Sequence, residues 1–281
     1  MAHKKQILIT GGSGFLGNKL VEKLYPDNKI RVVARNEGKL IQLQHRFPEI
    51  EIYPGDIADP FICRQACKDI GSVFHLAGFK HVGLAEKFVK ENLQTNVIGS
   101  LNILEESLRG NIETVIATST DKAALVSGTY GASKLLMERL FSQYEQLNDK
   151  CKYRIVRYGN VLYSTGSVLC KWKENVLAGK EVTITDRTAT RFFWTVDQAI
   201  DLIFNCLEHA KDSSPYCPQM KSIEMGSLLE AMILKYGGGK KIEVKEIGLQ
   251  KGENKHERIL EEGPSSNDVE GFTIPEIMEL I

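Results

Sequence analysis

The sequence predicts an α/β fold: a doubly wound parallel sheet, followed by a smaller α/β region at the C-terminal end. Three observations predict it. Short apolar, β-rich runs alternate with amphipathic stretches through the first 160 residues. A glycine-rich turn, Gly11 to Gly17, separates the first such run from the first amphipathic stretch. After Gly159 the alternation loosens, and too little chain remains for a repeat of the first half. Strands alternating with helices of this length form parallel sheets with helices on both faces.

Taken in order, Gln6–Thr10 reads as the first strand and Phe15–Leu24 as the first helix, which Pro26, Asp27 and Asn28 stop. Residues 30–34, 50–53, 72–76, 114–119 and 153–157 read as the second to sixth strands. Residues 86–108 read as helical. So do residues 130–147, where Leu135, Leu136, Leu140, Tyr144 and Leu147 recur at helical spacing. Further on, residues 167–177, 195–207 and 227–235 read as helices, and residues 182–185 and 241–247 as strands. Thr195 with Gln198 three residues on is a capping box. Gly237, Gly238 and Gly239 form a turn, since no helix follows them. The expected division is a dinucleotide-binding domain over 1–160 and a substrate region over 161–281, interleaved with it.

Composition excludes several classes of function. Of 281 residues, 42% are hydrophobic and 26% charged, as in an ordinary globular protein. The 36 basic and 36 acidic residues cancel, so nothing favours nucleic acid or an anionic membrane surface. An anionic ligand must instead be held by local donors. No apolar run approaches a membrane span, and residues 1–5 run straight into the first strand, leaving no room for a signal peptide. Cys63, Cys67, Cys151, Cys170, Cys206 and Cys217 are scattered without zinc-like pairs, so no metal is expected. A cytoplasmic protein with reduced thiols is expected.

The turn Gly11-Gly12-Ser13-Gly14-Phe15-Leu16-Gly17 lies between strand and helix, the Rossmann-type arrangement. Its early glycines allow a tight turn and close approach to a pyrophosphate, and the last lets helix pack on strand. The helix N-terminus aims amides and dipole at the anion. At the end of the second strand an acidic residue would select NAD. Here Arg35 and Asn36 stand where a 2′-phosphate would lie, favouring NADP, with NAD the alternative should Arg35 be only a solvated surface residue. Asp56 and Ile57 after the third strand are placed for the adenine edge. Ala77 and Gly78 after the fourth would pass beneath the cofactor, with Lys80 just beyond.

Tyr130 and Lys134 share one face at the start of the helix after strand five. An ammonium near a phenol lowers its pKa and makes a usable base. Just before them, the strand ends in Ser119, Thr120, Asp121 and Lys122. A simple alcohol oxidation or a 4-epimerisation needs only hydroxyl, tyrosine and lysine. An added carboxyl and amine offer a second acid/base pair, as elimination of water across C5 and C6 of a sugar requires.

On these residues the chain resembles the extended short-chain dehydrogenase/reductases, which act mostly on nucleotide sugars. The runs Ser119 to Ala124, Tyr130 to Lys134 and Val156 to Val161 are similar to those of the UDP-N-acetylglucosamine 4,6-dehydratases. Lys80-His81-Val82, Gly166-Ser167-Val168, Thr183 to Asp186 and Thr190-Arg191-Phe192 resemble the C5-inverting branch, which serves pseudaminic-acid-type polysaccharide biosynthesis. Lys251 to Glu257 does so too. A C5-retaining dehydratase typically carries Asp-Glu where this chain has Asp121-Lys122. The resemblance implies a cycle in which Tyr130, with Lys134, takes the C4 hydroxyl proton as hydride moves to bound NADP. Lys122 removes the C5 proton, Asp121 protonates the departing C6 hydroxyl, and hydride returns to C6. Thr120 would orient the C4 oxygen, and the cofactor would stay bound.

For the substrate, UDP-N-acetylglucosamine, Asn160 and Arg191 are candidates at the diphosphate and Lys80 at the sugar or phosphate. Asn160 otherwise forms a turn, and Arg191 otherwise pairs with Asp186. His81, Ser167, Lys251 and Glu253 are further candidates from the matching segments. His75 reads as a satisfied strand-end histidine. The chain is short for the family, carries Lys251 where proline is usual, and has an unusual loop over 125–129. Relatives assemble through helix pairs, so a dimer or larger homo-oligomer is expected. The rivals are a 4-epimerase, a C5-retaining dehydratase, a ketoreductase and a non-catalytic NADP-sensing protein.

Overall fold

A computed structural model describes residues 6–281. Residues 1–5, expected to lead into the first strand, lie outside the described residues. The central sheet comprises β1 (Gln6–Thr10), β2 (Ile30–Ala34), β3 (Glu51–Pro54), β4 (Ile70–His75), β5 (Thr114–Thr120) and β6 (Lys152–Tyr158). Their order is β3-β2-β1-β4-β5-β6, and the short strand Pro215–Tyr216 adds a seventh position beyond β6. Every pairing is parallel. Strand order therefore reverses between β1 and β4, which opens a crevice at their C-terminal ends.

Alternation along the strands feeds two cores. Ile7 and Ile9 face one side with Leu20 and Val21 of α1 (Phe15–Leu24) and Leu40 and Leu43 of α2 (Glu37–Arg46). Leu8 faces the other, with Cys63 and Ala66 of α3 (Pro60–Ala66). Between β4 and β5 run α4 (Val82–Ala85), α5 (Val89–Leu93), a π turn (Gln94–Ile98) and α6 (Gly99–Arg109). α7 (Thr129–Leu147) adds Met137 and Phe141 to the second core. Period-two burial on both faces is what a helix-covered parallel sheet demands.

Beyond β6 come α8 (Val168–Ala178), α9 (Val196–His209), α10 (Met225–Tyr236) and α11 (Ile274–Leu280). α9 opens with the expected capping box and joins the first core through Ile200 and Ile203. α8, α10 and α11 enclose a third core around Trp172, Leu228, Met232 and Ile277. Residues past 160 thus complete the main sheet as well as building their own unit.

Several elements differ from expectation. The single helix expected over 86–108 is broken into two pieces, α5 and α6, with a π turn between them. Gly99 packs on Ile57 so closely that a Cβ would lie 2.6 Å from Ile57 Cδ1. α2 and α3 bury only two residues each, too few for a clear apolar period, although Asn36 and Asp59 cap both N-termini. The strand expected over 241–247 narrows to Val244–Glu246.

Candidate active site

The crevice between β1 and β4 holds the glycine turn. Gly11 has φ +71°, and a Cβ there would lie 2.8 Å from the Ala77 backbone. One at Gly17 would lie 2.4 Å from the Gly11 carbonyl oxygen. Only glycine allows these approaches. α1 starts at Gly14 with no side-chain cap, which leaves its first-turn amides for a ligand. Beside the turn is a cavity of about 610 Å³ lined by Ser13, Gly14, Phe15, Lys19, Lys80 and His81. Leu16 and Gly17 turn inward, Leu16 onto the first core. An uncapped helix end over a glycine cradle fits the pyrophosphate of a dinucleotide.

The flanking strand ends are less uniform. Arg35 is largely exposed, 3.8 Å from Asp56, and Asn36 caps α2 by accepting the Lys39 amide at 2.9 Å. Asp56 accepts the Ala58 amide at 2.9 Å, while the Ile57 side chain is buried. The Ala77 amide donates to Thr10 Oγ1 at 3.2 Å. A Cβ on Gly78 would lie 3.5 Å from Lys134 Nζ, so that ammonium borders the space above Gly78.

At the end of β5, Asp121 is wholly buried, and its Oδ1 accepts from Thr120 Oγ1 at 2.9 Å and Lys122 Nζ at 3.0 Å. Its Oδ2 is buried with no hydrogen-bond partner among the described residues. Lys122 Nζ also lies 3.5 Å from Glu257 Oε1. Burial alone would lower the Lys122 ammonium, but the two carboxylates outweigh it and hold the group charged, above its ordinary value. Burial pushes the Tyr130 phenol up, while Lys122 and the Thr120 hydroxyl pull it down. Lys134 Nζ donates to the Thr118 carbonyl at 2.9 Å, and burial lowers it to about 8. Lys122 is thus one cation that opposes the phenol's rise, and Lys134 Nζ faces the Thr118 carbonyl and Gly78.

The expected substrate residues scatter. Lys80 donates to the Thr165 carbonyl at 3.0 Å, and the His81 ring packs against Gly166, so these two share one loop cluster. Ser167 precedes α8, with its hydroxyl 3.5 Å from Cys170 Sγ. Asn160 pairs by its backbone with Phe193 in a two-stranded ladder. The Arg191 guanidinium is buried, donates to the Thr190 and Lys255 carbonyls, and lies 3.9 Å from Glu257. Among the described residues Asp186 faces Lys255 at 3.7 Å rather than Arg191. Lys251 reaches Glu86 at 3.5 Å, and Glu253 accepts the Gln250 amide.

Three residues join the site without having been singled out. Glu257 closes the charge cluster. Asn96, turned inward by the π turn, bonds the backbone of Phe79 and the Ser133 hydroxyl. Glu86 accepts the Thr129 amide at the start of α7. Only Glu257 had a sequence signal, as the last residue of the matching segment 251–257.

Comparison with known proteins agrees with this fold. The polysaccharide biosynthesis protein family matches residues 7–278. An uncharacterized membrane protein of Methanocaldococcus jannaschii is 36% identical over 91% of this chain and 80% of its own. Among the described residues, however, no helix is long and apolar enough to cross a membrane. A UDP-N-acetylglucosamine 4,6-dehydratase (inverting) of Campylobacter jejuni is 32% identical over 92% of this chain and 78% of its own. A UDP-glucose 4-epimerase of Rickettsia akari is 29% identical over 95% and 82%. Among solved structures, Pen from Bacillus thuringiensis superposes with a TM-score of 0.93 at 28% identity, covering 99% of this chain and 97% of that one. With sheet order, glycine cradle and matches running nearly end to end, the chain belongs to the polysaccharide biosynthesis protein family of extended short-chain dehydrogenase/reductases.

Proposed function

We propose that this chain is a nucleotide-sugar 4,6-dehydratase that acts on UDP-N-acetylglucosamine with inversion at C5 and holds NADP throughout the cycle. The observation that carries the proposal is the buried Asp121–Lys122 pair beside Thr120 and Tyr130. The similarity to the Campylobacter jejuni dehydratase supports it. When bound, the nicotinamide supplies a reversible hydride acceptor for C4, and the resulting ketone acidifies the C5 proton.

The protein's own residues handle the protons. Tyr130 accepts the C4 hydroxyl proton, with the Thr120 hydroxyl and the Lys122 charge favouring its phenolate. Lys122 must then act as a base although it rests as an ammonium. Its hydrogen-bond acceptor is Asp121 Oδ1 at 3.0 Å. A proton passed along that bond leaves an amine and a carboxylic acid, with the charge of the cluster unchanged. The amine takes the C5 proton and the acid protonates the C6 hydroxyl. The C5–H and C6–O bonds break, the C5=C6 bond forms and water leaves, with Lys122 and Asp121 back in their resting forms. Once C6 has regained the hydride, C5 takes a proton from the opposite face, balancing the one Tyr130 took from the C4 hydroxyl, and the L-configured 4-keto-6-deoxy sugar results.

A second reading has its own support. The resting cluster holds Lys122 as an ammonium, and a 4-epimerase needs no base there. Incubation with UDP-N-acetylglucosamine in D₂O without added cofactor, followed by proton NMR, separates the two. A C6 methyl signal, deuterium at C5 and an L-configured product are expected. Interconversion with UDP-N-acetylgalactosamine alone would establish the epimerase instead.

A further inference from the structure

Residues 250–257 form a strap across the mouth of the acid/base cluster. Ser127 Oγ donates to the Gly252 carbonyl at 3.0 Å, and Asn254 Nδ2 to the Leu125 carbonyl at 3.0 Å. Both acceptor–donor pairs join the strap to the loop between the Asp121-Lys122 and Tyr130 motifs. Lys251 adds an ion pair to Glu86, which itself caps the start of α7. At the far end, the Glu257 amide donates to Ser266 Oγ at 2.9 Å, and the Ser266 amide donates back to the Glu257 carbonyl at 2.8 Å. Two residues on, the Ile259 carbonyl accepts from Arg157 at 2.8 Å.

This anchoring places the Glu257 carboxylate in a fully buried position. Its Oε1 has no hydrogen-bond partner among the described residues, yet lies 3.5 Å from Lys122 Nζ and 3.9 Å from Arg191 Nε. A buried carboxylate is costly unless opposite charges surround it. Here two acids, Asp121 and Glu257, alternate with two cations, Lys122 and Arg191. We infer that Glu257 is a positioning residue for the Asp121–Lys122 pair: it grips the Lys122 ammonium from the side opposite Asp121 and sets how readily that ammonium gives up its proton. The use of that control in an elimination rests on the dehydratase reading; the control itself does not.

The groups that face Lys122 are Asp121 beside it in the chain, Tyr130 on α7, Arg191 on the strand Thr190–Arg191, and Glu257 on the strap. Asp121 and Glu257 favour the ammonium, while Arg191 opposes it. Removing Glu257 and removing Arg191 must therefore act in opposite directions. A change that merely loosened the cluster would act in the same direction for both.

Competitive acetylation of the full chain with acetic anhydride, read at Lys122 by mass spectrometry against the surface lysines, reports the fraction of free amine and needs no substrate. Glu257→Gln is expected to raise Lys122 labelling by about tenfold or more, since a charge at this distance shifts a pKa by about one to three units. Arg191→Gln is expected to lower it. Unchanged labelling in Glu257→Gln, or a rise in both variants, overturns the inference. Should Glu257→Gln not fold, Glu257→Asp, which keeps the charge but withdraws it by one methylene, decides: a smaller rise in Lys122 labelling supports Glu257's grip, and an unchanged or lowered value overturns it. Failure of the dehydratase reading shows separately, as absence of a 6-deoxy product from the unaltered enzyme.

Discussion

Asn96 bonds Phe79 in both directions: its Oδ1 accepts the Phe79 amide at 2.7 Å, and its Nδ2 donates to the Phe79 carbonyl at 3.0 Å. The same Nδ2 donates to Ser133 Oγ at 2.9 Å, and that hydroxyl donates to the Tyr130 carbonyl at 2.8 Å. One buried amide thus fixes the segment of Gly78 and Phe79 relative to the first turn of α7. The π turn makes this possible, since such turns rotate a side chain out of the ordinary helical stripe. Asn96→Ala leaves the Phe79 backbone groups without buried partners and should cost about 2–3 kcal/mol. Urea midpoints measure this. Turnover should fall further than stability explains, because Tyr130 and the Gly78 segment lose their common anchor; wild-type turnover in a folded variant would refute the linkage.

Arg35 tests the choice of cofactor. It is exposed and only loosely opposed by Asp56, so its guanidinium is available to a 2′-phosphate. Loss of one charge-assisted hydrogen bond is worth about 1.5–3 kcal/mol, so Arg35→Ala should weaken NADP binding by at least about tenfold and NAD binding far less. Calorimetric titration of both nucleotides reads the difference. Because the proposed cycle returns its hydride, NADP should also copurify with the protein. An enzyme recovered fully apo and inactive until NADP is added would count against that.

Variants at Lys122 and Tyr130 separate the proposed steps. Lys122→Met removes the base for C5 and also the charge that favours the Tyr130 phenolate, so substrate should still reduce the cofactor in a single turnover, though more slowly, without forming a methyl product. Tyr130→Phe removes the earlier acceptor and should abolish cofactor reduction as well. General-base losses of this kind are about 10²- to 10⁴-fold in rate. Near-ultraviolet absorbance follows the cofactor, and NMR in D₂O follows C5. Full elimination by Lys122→Met would remove it as the base.

Much of this was legible in the sequence because it rests on local rules. The strands of the sheet declare themselves by apolar runs, and the glycine turn by a steric need that the 2.4 Å approach at Gly17 makes explicit. Asp121, Lys122 and Tyr130 fall together because they end one strand and open the next helix. What was not legible depends on contacts distant in sequence. Glu257 reaches Lys122 across more than a hundred residues, and Asn96 reaches Phe79 only because a π turn interrupts a helix that periodicity reads as continuous. For Arg191 the charge and position are legible in the sequence, whereas its burial against two carbonyls and Glu257 is not.

His75 gives a dependence of stability on pH. It is buried at the end of β4, with Nε2 2.9 Å from Ser100 Oγ and Nδ1 2.8 Å from Thr10 Oγ1. Ser100 Oγ donates to the Asn96 carbonyl, so it accepts from Nε2–H. Nδ1 then accepts from Thr10, whose oxygen already receives the Ala77 amide. The neutral ring satisfies every bond, and a second ring proton has no good acceptor. Burial, with Lys134 nearby, pushes the imidazole down to about 3 from 6.5. The unfolded chain therefore binds the extra proton first as pH falls. Stability is fully present above about 6.5 and is lost towards 3, by about 2 kcal/mol at pH 5. Carboxylates add their own acid dependence, so the test is a difference. His75→Gln should start less stable than the wild type at pH 8 and lose less stability between pH 8 and pH 5, by about the same 2 kcal/mol. Parallel urea-midpoint curves for the two proteins over that range would mean that His75 is not held neutral.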